Sequence, residues 1–266
     1  MWAYSFMQNA IIGGIIIATV CGLISVFVIL RRTAFAAHAL GHMSLTGAAG
    51  AALLGFPSML GQIILNVISA IIMGLMGDKV KKNDLAIGVV LTFVLGLGAY
   101  FLFLFQNNYA GGVMGILFGN IFAISSSQIV QLALMGVSIL IVMAIISRPL
   151  IFASIDPVVA ASKNVPLRLL SVVFFVLLAL TVSMACQIVG ALLVFVLLII
   201  PGAIGMQWGQ SIPRIVIISI LSSVGAVFSA LLISYHYDLP AGFCITMLLC
   251  IGYFVGVVRE FIGKLC

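Results

Sequence analysis

The run from residue 9 to residue 32 reads NAIIGGIIIATVCGLISVFVILRR, with no charge until two arginines close it. About 20 apolar residues wound as an α-helix span the ~30 Å hydrocarbon core of a bilayer. A helix also satisfies its own backbone hydrogen bonds where no water can. The run therefore reads as a membrane crossing that Arg31 and Arg32 terminate. The N-terminal MWAYSFMQNAIIGG has no basic n-region and no small-x-small cleavage pattern, so the run is expected to be a retained span and not a removed signal peptide.

The rest of the chain has the same character. Hydrophobic residues make up 65% of the 266 residues and charged ones 6%, with mean hydropathy +1.42. Soluble domains are about a quarter charged, so no water-facing surface can be assembled from this pool. At about 20 residues per crossing the length holds roughly eight to ten spans and little loop. No nucleotide-hydrolysing domain fits, so any such machinery belongs to another chain. The net charge of +6 is the ordinary topology signal of a membrane protein, and nucleic acid is not an expected partner; lipid is. The five cysteines are scattered, mostly inside apolar runs, and read as buried small hydrophobes.

Hydropathy and breakers predict an all-α polytopic bundle, one domain over residues 1–266, with nine crossings and eight as the nearest other count. The crossings fall at 9–30, 38–55, 58–76, 85–105, 128–147, 167–185, 188–207, 214–234 and 240–258. The turns between them include Phe56-Pro57-Ser58, Cys186-Gln187 and Tyr235-His236-Tyr237-Asp238. Alternating the loops with Arg31 and Arg32 inside puts Lys79, Lys81, Lys82, Arg148, Lys163, Arg168, Arg214, Arg259 and Lys264 inside as well. All eleven basic residues then share one side, as the positive-inside rule requires. This places the N-terminus outside and the C-terminus in the cytoplasm. The Gly-rich run from Tyr109 to Ile124 is read as a re-entrant or interfacial helix on the outer side, where irregular backbone must pack on protein.

Few polar groups lie at membrane depth, and those that do are functional candidates. In RRTAFAAHALGHMSLTG, residues 31–47, His38 and His42 are four apart and share one helical face. A rise of about 1.5 Å per residue from Arg32 puts them roughly 9 and 15 Å into the membrane. Two imidazoles one turn apart suit a borderline metal such as Zn(II); the other reading is histidines hydrogen-bonded to neighbouring helices. A second stretch, residues 148–166, reads as a loop carrying a short helix. Asp156 is a good N-cap, Pro157 fits the first position, and Asn164-Val165-Pro166 stops it. Such a helix lies at the interface or docks into another subunit. His236 and Asp238 stand together in the last outer loop. Either they receive an ion there, or Asp238 caps the final helix and His236 is simply solvated.

Several of these stretches resemble the ABC-3 family of metal-ion ABC transporter permeases. The Leu-Arg-Arg at 30–32 with His-Ala-Leu-Gly-His at 38–42 is similar to the family's second-helix signature. Asp84-Leu85-Ala86-Ile87-Gly88, Leu117-Phe118-Gly119, Ile155-Asp156-Pro157, Val189-Gly190-Ala191-Leu192-Leu193 with Leu198-Ile199-Ile200-Pro201-Gly202-Ala203, and Asp238-Leu239-Pro240-Ala241-Gly242 follow in the family's order. The resemblance implies an importer of zinc, manganese or iron(II) in a bacterial cytoplasmic membrane. Two permeases would pair with two ATP-hydrolysing subunits, and an extracytoplasmic binding protein would deliver the metal. It further implies that Asp156, Pro157, Ala160, Lys163 and Asn164 belong to the helix that couples to the ATPase. The metal is cargo; no permanently bound cofactor and no enzymatic role are expected.

The chain departs from the family pattern at three places. His38 stands where the family usually has Asp, a softer ligand that favours zinc. Gly41 stands where Ser is common, and Asn164 replaces a Gly after the coupling helix, a position it can fill. Two rivals bear on the function. An ABC permease for iron-chelate or cobalamin cargo would need a wide apolar cavity. A proton-driven secondary transporter would need buried carboxylates, whereas Asp78, Asp84, Asp156 and Glu260 fall in predicted cytoplasmic loops and Asp238 in an outer one.

Overall fold

The computed structural model describes residues 4–75, 80–104, 119, 121–191 and 193–265. Most of the run 109–124, the lysines at 79, 81, 82 and 264, Asp78 and Glu260 lie outside the described residues or side chains. So does Leu192.

The described residues form ten α-helices and one 3₁₀ turn, with no strand among them. In chain order they are α1 (Ser5–Leu30), α2 (Ala34–Leu53), α3 (Ser58–Leu75), α4 (Val80–Leu104), the 3₁₀ turn Ile121–Ala123, α5 (Ser126–Ile155), α6 (Pro157–Ser162), α7 (Leu167–Val189), α8 (Val194–Trp208), α9 (Ile212–Tyr237) and α10 (Ala241–Leu265). Each of the nine predicted crossings holds a helix over most of its length. Seven of these helices are long and apolar enough to cross a membrane. The exceptions are α2, whose histidines and small polar residues lower its hydropathy, and α8, at 15 residues.

Burial sorts the helices into a centre and a rim. In α1 and α7, 72% of the apolar window is buried, against 17% in α4 and 22% in α5. An apolar face left outward suits lipid, which replaces water as the outer solvent. The central helix α1 packs on α5, α7, α8 and α9, while α2 packs on α3, α4, α7 and α8.

Close approach is arranged by small residues. A Cβ on Gly22 would come within 2.9 Å of the Ile220 backbone of α9, and one on Gly47 within 2.8 Å of the Gly61 carbonyl carbon of α3. Without a hydrophobic force between helices in lipid, such packing holds a bundle together.

Contacts also fix which helix ends lie together. Arg31, after α1, donates to Ser171 of α7 at 3.1 Å, and Gly74 abuts Val172. Arg259 of α10 lies over Trp208 of α8. Arg31, Arg32, Arg148, Lys163, Arg168, Arg214 and Arg259 accordingly gather at one end of the bundle, the basic end. Burial pulls the Arg31 pKa down, while its guanidinium sits 5.2 Å above the Phe174 ring.

Three boundaries differ from the sequence expectation. α5 does not stop at residue 147; it runs through Pro149 to Ile155, because proline removes only one ladder donor and the apolar residues beyond keep packing, with Leu150 fully buried. Cys186 and Gln187 do not form a turn. α7 continues to Val189 and breaks at Gly190, whose φ of 88° and ψ of 155° are open essentially to glycine alone. The turn expected at 235–238 is helical to Tyr237. Asp238, at φ 51°, closes α9 in the left-handed region instead of capping the start of α10.

Candidate functional site

His42 is the ninth of the twenty residues of α2, midway along the helix. The His38 and His42 rings stand 4.6 Å apart, centroid to centroid, at 82°. Two imidazoles sharing one tetrahedral zinc at Zn–N of about 2.0 Å stand about 5 Å apart, so only a small opening of the pair is needed. Neither ring makes a hydrogen bond among the described residues; His38 instead meets the edge of Phe195 in α8, at 4.9 Å. No third His, Cys, Asp or Glu among the described residues completes a cluster, leaving part of an ion's shell to water, main chain or another molecule.

The back of α2 is pinned by a polar staple that the sequence reading missed. Asn66 of α3 donates from Nδ2 to Ser44 at 2.7 Å and to Ser183 of α7 at 2.9 Å. The two hydroxyls pass their own protons to Leu40 and Ala179 carbonyls. Ser44 is two residues from His42, about 200° round the helix, so the staple fixes which way the histidine face points. Asn66 and Gln62, one turn apart and buried at 0% and 2% exposure, were the available signal. Gly41 is not forced by space: a Cβ there would meet only the Ala191 carbonyl, at 3.4 Å.

α8 enters the site through its own broken ladder. Pro201 lacks an N–H, which leaves the Leu197 carbonyl without its ladder donor, and Ser25 of α1 bonds neighbouring backbone groups of the helix. Its Oγ accepts from Gly202 N–H at 2.7 Å and donates to Ile199 carbonyl at 3.2 Å. A Cβ on Gly202 would press on the Ser25 backbone, so the glycine admits α1. Ser25 lies far away in sequence and gave no signal.

Three separated motifs meet at the end of the bundle opposite the arginines. Gly119, at φ 66°, packs so closely on the backbone at Gly190 that a Cβ would collide. Both motifs and Asp238-Leu239-Pro240-Ala241-Gly242 line a largely apolar cavity of about 700 Å³. Asp238 lines it and His236 does not. His236 is exposed in the last turn of α9, with Nδ1 3.0 Å from the Leu232 carbonyl.

The short helix α6 is as expected. Asp156 accepts from the N–H groups of Val158 and Val159 at 3.1 and 3.0 Å, and Ala160 is fully buried. Asn164, at φ 56°, closes a Schellman turn in which Val165 N–H reaches the Ala160 carbonyl at 3.1 Å. Lys163 is exposed.

Residues 3–260 match the ABC 3 transport family. The chain is 32% identical over 247 residues to the manganese import system permease protein ScaB of Streptococcus parasanguinis, covering 92% of this chain and 87% of that one. It is 29% identical over 263 residues to the chelated iron transport system membrane protein YfeD of Yersinia pestis, covering 98% and 88%. Its fold is similar to that of PsaBC from Streptococcus pneumoniae in complex with Fab. The TM-score is 0.85 at 28% identity, over 96% of this chain and 92% of that one.

Proposed function

The chain belongs to the ABC 3 transport family, and from that premise we propose that it is the membrane-spanning permease of an ATP-driven importer of divalent transition-metal ions. It is a transport subunit and not an enzyme; hydrolysis of ATP takes place on a partner. The observation that carries the reading is the His38–His42 pair: two imidazoles 4.6 Å apart, without hydrogen bonds among the described residues, midway along a helix that packs inside the bundle. Two ligands replace part of an ion's hydration shell and still let it go, as conduction requires.

Relatives are named for manganese and for chelated iron. The preference proposed for this chain is zinc, because His38 offers nitrogen where the family usually offers a carboxylate. The basic end is the cytoplasmic one by the positive-inside rule, giving nine crossings with the N-terminus outside in a bacterial cytoplasmic membrane. α6 then faces the ATPase, two permeases pair, and an extracytoplasmic binding protein delivers the ion near the cavity that Asp238 lines. His236 stands beside that mouth as a secondary contact.

The test is co-expression with a candidate ATPase subunit. The two should copurify, and zinc should stimulate hydrolysis more than manganese does. Copurification without metal stimulation would favour a chelate as cargo.

A further inference from the structure

At the basic end two cavities between α8, α9 and α10 meet at one residue, Trp208. The first, about 540 Å³, is an apolar groove whose lining includes Ile204, Leu221, Gly225, Leu248, Gly252 and Val255. Gly225 opens it: a Cβ there would meet nothing within 4 Å. The second, about 220 Å³, is lined by Gln207, Trp208, Gly209, Gln210, Gly256 and Arg259. That is below the 300–1,000 Å³ of ordinary drug-sized ligand pockets, but it is polar.

The two are continuous along one helix stripe. Leu248, Gly252, Val255 and Arg259 recur at the spacing of a single face of α10. They cover about 16 Å of helix, close to half the thickness of a hydrocarbon core. The guanidinium of Arg259 lies 4.4 Å above the face of Trp208 and makes no ion pair among the described residues. It is a cation held at the level where tryptophan marks the membrane interface.

We infer that this groove and its polar end form a binding site for an anionic phospholipid, with an acyl chain along Gly225 and Gly252 and the phosphate on Arg259. The occupant follows from the shape: half a bilayer of apolar groove ending in a cation has a lipid's polarity and length. A soluble anion would use only the polar end. A second copy of this chain would bury the groove without needing the charge. The leaflet follows the orientation proposed above; the binding itself does not depend on it.

The experiment is native mass spectrometry of the full chain, released from detergent containing phosphatidylglycerol and phosphatidylcholine in equal amounts. The wild type should retain phosphatidylglycerol selectively. Arg259→Gln should lower that retention about tenfold and leave phosphatidylcholine unchanged, the scale of a lost hydrogen bond to a charged group. Gly225→Leu, which fills open space, should lower retention of both. Glycerol phosphate added without chains should not compete. Equal retention of both lipids by the wild type and both variants would overturn the proposal. So would full competition by glycerol phosphate, or a chain dimer dissociated by Gly225→Leu, which would assign the groove to a second copy.

Discussion

The His42 ring makes no hydrogen bond among the described residues, so its replacement tests ligation with little confusion from packing. His42→Ala should abolish metal uptake while the amount of folded protein in the membrane, read by fluorescence-detected size exclusion, stays unchanged. His38→Asp should keep transport and shift preference from zinc toward the harder manganese; competition uptake with both metals measures it. Neutral imidazole is the ligand form, so uptake should fall in acid, where proton and metal compete for one lone pair. The pair was legible in the sequence because its meaning lies in a four-residue spacing. Its surroundings were not. Phe195, Asn66 and Ser25 bear on the site from other helices, 13 to 157 residues away from His38 or His42, and nothing local in a serine or phenylalanine marks such a role.

Among the elements, α6 and α8 carry the strain of the account. Ala160→Pro should unmake the six-residue α6, since an interior proline costs about 3 kcal/mol; ATP hydrolysis should then proceed without uptake while the chain still inserts. Asn164→Gly should leave coupling intact, because glycine takes the left-handed conformation more readily. In α8, Ser25→Ala strands the Gly202 N–H and should cost about 1–3 kcal/mol, seen as a lower melting temperature in detergent. Helix existence was legible throughout, and the cap and stop of α6 were read correctly from Asp156, Pro157 and Asn164. Boundaries were less so. Polar residues such as Gln187 look like turns but continue a helix when their neighbours stay buried. The true break at Gly190 rests on one φ angle that hydropathy does not encode.

For the whole molecule, the account joins an orientation to an energy source. Single cysteines placed at Phe56 and Lys163, both exposed, should label from opposite sides of sealed vesicles, with Lys163 reachable from the cytoplasm. Labelling of both from one side would contradict the nine crossings. The gathering of seven described arginines and lysines at one end was legible from loop alternation alone. The meeting of Gly119, Val189 and Asp238 around one cavity was not, since it depends on how α7, α8 and α10 pack. The most direct measurement is uptake of labelled zinc into proteoliposomes holding the chain with its copurified ATPase. The account predicts accumulation that requires ATP inside the coupled complex, is lost in His42→Ala, and is indifferent to an imposed proton gradient. Accumulation driven by a proton gradient with no ATPase present would contradict it.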